Sequence, residues 1–271
     1  MKIGVNRWTM PGDWSLDEAF DAAREAGFDC IEINVGEAGE LTPDTSETEA
    51  RAIARRAAEA GVALSSLSTG LGWAYPLTDP DPVKAARAQE YTAAQIRLAS
   101  WMGLDTILCV PAVVTPEVPY DAAYEKAQAA LRRLEPIAAE HRVVIGVENV
   151  WNKFLLSPLE AVRFVDEIGS PWVQAYFDVG NVLVFGYPEQ WIRILGRRIK
   201  KVHVKDFKVG IGNITAFANP LQGDVPWPAV RAALHEVGYD DVVTAEVEGY
   251  RHQPRLGLRH IAEALRAAFA E

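Results

Sequence analysis

Cysteine is scarce in this chain, basic tracts are missing, and no apolar run is long enough to span a membrane. The two cysteines, Cys30 and Cys109, both sit inside apolar stretches, CIEINV and TILCVP. A free thiol in such a setting behaves as a small buried hydrophobe, so no disulfide framework is indicated. The formal charge of -10 and the lack of any Lys/Arg run speak against nucleic acid as a partner, because nothing is arranged to neutralise phosphates along a strand. No apolar stretch approaches the about 18 residues that cross a bilayer, and the opening MKIGVNRW has no charged n-region followed by an apolar h-region. The expectation is a soluble, cytoplasmic protein with no membrane partner. The first strand-to-helix turn also lacks G-x-G-x-x-G, which counts against a dinucleotide-type open sheet.

What is present is a regular alternation. KIGVN reads as a strand, Ser15 as the N-cap of a helix that stops at Gly27, and CIEINV as a second strand. A helix over 47–60 is closed by Gly61, and VALSSLST and the irregular GLGWAYPLTDPD lead to a helix over 82–102 closed by Gly103. TILCVPAVV, a helix over 121–140 and a strand over 143–148 come next. Ser157-Pro158 then opens the helix LEAVRFVDEI, since proline suits a first helical position. The strand VQAYFDV, a helix over 188–195, and IKKVHVKDF as strand seven lead into an irregular stretch over 208–227. A helix over 228–237, the strand DVVTAEVE and a helix over 254–269 complete the pattern. Eight strands alternating with eight helices without a composition break over 271 residues predict an α/β fold. The expected form is a single (β/α)₈ TIM barrel, forming one domain over 1–271.

Four of these strands end alike. VVIGVENVWNKF runs into Glu148, YFDVGN carries Asp178, KVHVKD carries His203, and VVTAEVEGY carries Glu246. Charged or imidazole groups at the tips of buried strands are costly unless paired, and one bound cation can pair with all four. The strand ends are also where barrel active sites form. Alternation puts Thr244, Glu246 and Glu248 on one face, so parity does not separate Glu246 from Glu248 as the ligand. Three carboxylates and an imidazole suit Mn²⁺ first, with Mg²⁺, Co²⁺ and Zn²⁺ as further options. Such a site favours proton abstraction beside a carbonyl, with the metal stabilising an enediolate and a carboxylate moving the proton. Lys205, Lys153, Lys208 and Arg251 lie in loops where a cation could meet an anionic substrate, and Trp73 and Trp151 where an aromatic wall could meet a sugar ring.

The segments VENVWNKF, YFDVGN, KVHVKDF, QGDVPWPAV and TAEVE resemble the sugar phosphate isomerase/epimerase superfamily. Its xylose-isomerase-like TIM barrels include ketose 3-epimerases and L-xylulose-5-phosphate 3-epimerase-like proteins. The resemblance covers nearly the whole chain and implies a divalent-metal-dependent isomerase. Glu148, Asp178, His203 and Glu246 would be the metal ligands, and Glu148 and Glu246 the proton-moving catalytic pair. Ketose 3-epimerases commonly carry a histidine three residues after the metal-binding aspartate, where this chain has Asn181. That departure, together with Lys205, implies a keto-sugar acid or a ketose phosphate rather than a free ketohexose. Substrate contacts are expected from Asn181, Lys205, Trp73, Trp151 and Lys153, and 3-epimerisation of a ketose derivative is the expected reaction. An inosose-type dehydratase on the same site, or an endonuclease IV-like phosphodiesterase, is the alternative. Phe185 and Tyr187 are candidate contacts of a homo-oligomer.

Overall fold

Parallel strands covered by helices are buried on both faces, so they must be apolar nearly throughout. Ile3, Val5, Ile31, Ile33, Val243 and Ala245 are almost wholly inaccessible. The computed structural model describes residues 1–270. In chain order the elements are β1 (Lys2–Asn6), α1 (Leu16–Ala26), β2 (Cys30–Val35), α2 (Glu47–Ala60), β3 (Ala63–Thr69), α3 (Leu71–Ala74), α4 (Pro82–Trp101), β4 (Thr106–Cys109), α5 (Tyr120–His141) and β5 (Val144–Glu148). They continue with α6 (Pro158–Ile168), β6 (Val173–Asp178), α7 (Pro188–Leu195), β7 (Ile199–Val204), β8 (Asp206–Phe207), β9 (Phe217–Ala218), α8 (Trp227–Glu236), β10 (Val242–Ala245) and α9 (Pro254–Phe269). Eight of the strands form a closed barrel in the order β1-β10-β7-β6-β5-β4-β3-β2, and β8 and β9 form a separate two-stranded ribbon. Among the described residues no helix is long and apolar enough to cross a membrane.

Local signals set the helix ends. Ser15 and Glu18 form a reciprocal capping box, with Glu18 N donating to Ser15 Oγ at 3.2 Å and Ser15 N donating to Glu18 Oε2 at 2.8 Å. Gly27 closes that helix with φ of 89°, a left-handed conformation that glycine adopts without steric cost. Ser157 caps α6 in front of Pro158.

Contacts divide the chain into two units, 1–33 with 53–65 and 177–271, and 34–52 with 66–176. In the first, β1 lies between β2 and β10, with Asn6 opposite Glu32 and Gly4 opposite Thr244, and Thr244 is in turn opposite His203 on β7. Gly4 is needed there, because a Cβ would lie 2.9 Å from Val242 Cγ2 and 3.0 Å from Thr244 Oγ1. In the second, β4 pairs with β5, and β5 with β6 so that Glu148 stands opposite Tyr176. The segment after β5 is pinned there. Asn152 Nδ2 donates to Ala112 O at 2.8 Å, and Phe154 meets Tyr124 and Phe164 edge to face at 6.1 and 5.5 Å.

Three expectations about elements are corrected. The stretch after β3 is not wholly irregular, since α3 forms there and carries Trp73. Strand seven does not run through KDF: β7 stops at Val204, and Asp206 and Phe207 turn away to pair antiparallel with Ala218 and Phe217. The 208–227 segment is accordingly tied down by Asp206, whose carboxylate accepts from Val225 N at 3.0 Å and from the Trp227 indole at 3.1 Å. Finally, β10 ends at Ala245, before either glutamate. Beyond it Glu246 N still donates to Val204 O at 3.1 Å, but Val247 N donates to Thr9 Oγ1 at 3.3 Å. Gly249 then lies so close to Thr9 that a Cβ would sit 2.0 Å from its carbonyl oxygen.

Candidate metal centre

Glu148, Asp178, His203 and Glu246 each present one ligand atom, and these four atoms lie within 4.8 Å of one another. Each is brought there by a strand end: Glu148 closes β5, Asp178 closes β6, His203 is the penultimate residue of β7, and Glu246 follows β10 directly. Parity leaves Glu246 and Glu248 equivalent. The structure gathers Glu246, because the chain bends onto Thr9 before Glu248 is reached. Asp178 and His203 are wholly buried, whereas the Glu246 side chain is 22% exposed and so accessible to a small molecule.

Lys205 is at the centre of this electrostatics. Its Nζ donates to Asp178 Oδ2 at 2.7 Å and to Glu246 Oε2 at 2.5 Å, and it lies 5.3 Å from the centre of the Phe217 ring. Burial pushes the Asp178 carboxyl up from its ordinary value, with the Lys205 ammonium opposing it. Burial also acts upward on Glu246, but Lys205 and His203 outweigh it and hold that carboxyl down at about 2. Near Glu148, burial and then the glutamate's charge push the Cys109 thiol up to about 12. A thiol so far from ionising is inert packing.

The donor set fits a divalent cation. The ring of His203 is oriented with Nε2 2.6 Å from Glu32 Oε2 and Nδ1 3.6 Å from Glu246 Oε2, so the second nitrogen faces the carboxylates. Three acidic groups around one imidazole are oxygen-rich and net negative, and the ammonium already seated between two of them shows that the cluster is built around positive charge.

Of the expected substrate contacts, the structure joins two directly to the cluster. One is Lys205, and the other is Asn181, whose backbone N donates to Asp178 Oδ1 at 2.8 Å. Trp73 is 47% exposed on α3, Trp151 is half-buried, and Lys153 is exposed in the bend after β5 with a left-handed φ of 59°. Three residues near the cluster escape sequence reasoning. Phe217 reaches Lys205 through the β8-β9 ribbon. Glu32 and Asn6 read from the pattern only as strand residues, although a glutamate in the middle of the apolar CIEINV is a usable signal.

Gly180 lets Lys205 pass. A Cβ there would stand 2.5 Å from Lys205 Cγ and 2.8 Å from Lys205 O, and a backbone oxygen cannot swing aside as a side chain can. Gly180→Ala is expected to destabilise the protein by about 1–3 kcal/mol, the usual range for overpacking. Urea unfolding measures it, and a wild-type midpoint would contradict this packing.

A closed parallel barrel that gathers three carboxylates and an imidazole at its strand ends is a TIM barrel with a candidate metal centre. The chain belongs to the Xylose isomerase-like TIM barrel family, whose model matches residues 20–268. It is 25% identical over 240 residues to L-ribulose-5-phosphate 3-epimerase UlaE of Salmonella paratyphi C (strain RKS4594), a match covering 88% of this chain and 84% of that protein. Among solved structures it resembles an L-ribulose 3-epimerase with a TM-score of 0.82 at 20% identity, covering 99% of this chain and 94% of the other. It also resembles the IOLI protein with a binding zinc atom, with a TM-score of 0.81 at 17% identity, covering 100% and 98%. At these identities the two structures bear on the fold.

Proposed function

We propose that the protein is a divalent-metal-dependent epimerase of a ketose derivative, a keto-sugar acid or a ketose phosphate, with residues 1–271 working as one domain and Mn²⁺ as the preferred ion. The observation that carries this reading is the cluster of Glu148, Asp178, His203 and Glu246. Its support is the chain's membership of the Xylose isomerase-like TIM barrel family, together with its likeness to a protein named as an L-ribulose-5-phosphate 3-epimerase. A divalent cation held by the four residues supplies Lewis-acid stabilisation of the negative charge that develops on substrate oxygen as the neighbouring carbon loses its proton.

The chain's own residues do the rest. Glu148 and Glu246 enter from different strand ends and address the reacting carbon from two directions. One carboxylate takes the proton as a base, and the other, protonated, returns a proton to the opposite face, which inverts the centre. Asp178 and His203, both wholly buried, hold their positions without contact with bulk water. Once a cation shares the carboxylates, the Lys205 ammonium can turn part of its donor capacity to an anionic group of the substrate. Trp73, Trp151, Lys153 and Asn181 are the remaining substrate contacts in this reading.

The test is solvent-deuterium incorporation followed by NMR. Metal-depleted protein restored with Mn²⁺ is offered ketohexoses, keto-hexonates, pentulose phosphates and inososes. The expected result is Mn²⁺-dependent exchange at a carbon beside the ketone, together with formation of an epimer, on an acidic or phosphorylated member. Exchange with loss of water in place of an epimer would replace the reading with a dehydratase. No exchange across the panel would overturn it.

A further inference from the structure

His203 is useful to a cation only if the ring nitrogen facing the carboxylates is the one without a proton. A neutral imidazole carries its proton on either nitrogen, and the hydrogen bond made by one nitrogen decides the state of the other. Here Nε2 lies 2.6 Å from Glu32 Oε2, and Nδ1 faces the cluster, 3.6 Å from Glu246 Oε2. Glu32, His203 and Asn6 are all 0% exposed, so water does not compete for these bonds.

The direction of the network follows from its outer end. Asn6 Oδ1 accepts from the backbone N of Trp8 at 2.8 Å, which identifies the other end of the amide as Nδ2. That Nδ2 donates to Glu32 Oε2 at 2.5 Å, the same oxygen that His203 approaches. Asn6 and Glu32 are direct neighbours in the β1-β2 ladder, so two strands preset the carboxylate before the imidazole meets it. The Glu32 oxygen that accepts from Asn6 is thereby set as an acceptor, and a ring nitrogen 2.6 Å from an acceptor oxygen is the one that carries the proton.

We propose that Glu32, oriented by Asn6, is the positioning residue that holds His203 with its proton on Nε2 and Nδ1 unprotonated as the metal donor. The proposal rests on the metal-centre part of the reading above and adds to it residues outside the four. A carboxylate behind a metal-bound imidazole fixes its tautomer and raises its basicity, and removing such a partner typically weakens metal binding about 10- to 100-fold. A glutamate that merely filled space would have neither effect.

Two measurements on the full chain test it. Metal-depleted wild-type and Glu32→Gln proteins are titrated with Mn²⁺ by calorimetry, and the variant is expected to bind about 10- to 100-fold more weakly. In parallel, ¹⁵N NMR of the Zn²⁺-loaded wild type, with the His203 signals assigned by their loss in His203→Gln, is expected to show the proton on Nε2 and the metal on Nδ1. The second measurement needs no Glu32 variant, so it decides the matter even where Glu32→Gln does not fold. Metal on Nε2, Mn²⁺ affinity unchanged in Glu32→Gln, or no binding of either ion by the wild type would each overturn the proposal. If both expected results appear but no substrate of the deuterium panel exchanges, the epimerase reading fails and the positioning role stands. Exchange in the wild type with unchanged Mn²⁺ affinity in Glu32→Gln does the reverse: the epimerase reading stands and the positioning role fails.

Discussion

Replacing either Glu148 or Glu246 by glutamine is expected to lower epimerisation by about 10²- to 10⁴-fold, the share general acid-base catalysis usually contributes, with the fold retained. Glutamine keeps the length and shape of the side chain and removes the ability to take up a proton. Glu148 is nearly inaccessible, in a tightly packed strand between β4 and β6, so a change of shape there would confuse packing with chemistry. In Glu246→Gln, Lys205 keeps Asp178 as its partner at 2.7 Å. The two variants are also expected to differ in a telling way. If each glutamate serves one face of the substrate, each variant keeps slow deuterium exchange with one epimer and loses it with the other. Steady-state kinetics and single-epimer exchange check this, with circular dichroism as the control for folding. Activity within tenfold of wild type in both variants would remove the proton-transfer roles.

Lys205→Met is expected to destabilise the metal-free protein by about 3–5 kcal/mol, the cost of breaking a buried ion pair from one side. The sign follows from what is left behind. Lys205 is 7% exposed and bridges Asp178, at 0%, and Glu246, so its removal leaves two clustered acids without their cation. A divalent cation placed among the same carboxylates restores the missing positive charge, so Mn²⁺ is expected to recover most of the loss. In free-energy terms Mn²⁺ then stabilises Lys205→Met more than it stabilises wild type. Urea unfolding with and without Mn²⁺ measures both halves. The double variant Lys205→Met, Asp178→Asn is expected to be less destabilised than the sum of its singles, because the second change neutralises an acid that the first left exposed to repulsion. Equal Mn²⁺ responses in wild type and Lys205→Met would show that the ammonium and the metal do not share the carboxylates.

Much of the architecture is legible in the amino-acid pattern. The 47–60 helix, the Ser15 and Ser157 caps and the strands KIGVN and CIEINV emerge where patterning places them, because caps and periodicity are local and act over a few residues. Strand ends next to irregular segments are less legible. IKKVHVKDF reads as one apolar-polar run, yet it breaks at Lys205, since Asp206 finds its partners in Val225 and Trp227, about twenty places further on. The tip of DVVTAEVE is also decided from afar, by Thr9.

The amino-acid sequence by itself determined that this chain is a (β/α)₈ barrel and that Glu148, Asp178 and His203 stand at strand tips. A strand buried on both faces must be apolar, so a charged or imidazole group at its end stands out, and the alternation of strand and helix leaves few ways to pack. Only the tertiary structure decided that Glu246 rather than Glu248 joins them, that Lys205 bridges Asp178 and Glu246, and that Glu32 stands behind His203. Those choices rest on contacts between residues far apart in the chain, 171 places in the Glu32 to His203 pair and 238 in the Thr9 to Val247 pair. The physical reason is that closing a barrel brings distant strands side by side, and which buried group then neutralises which depends on distances of a few ångströms that no local pattern encodes.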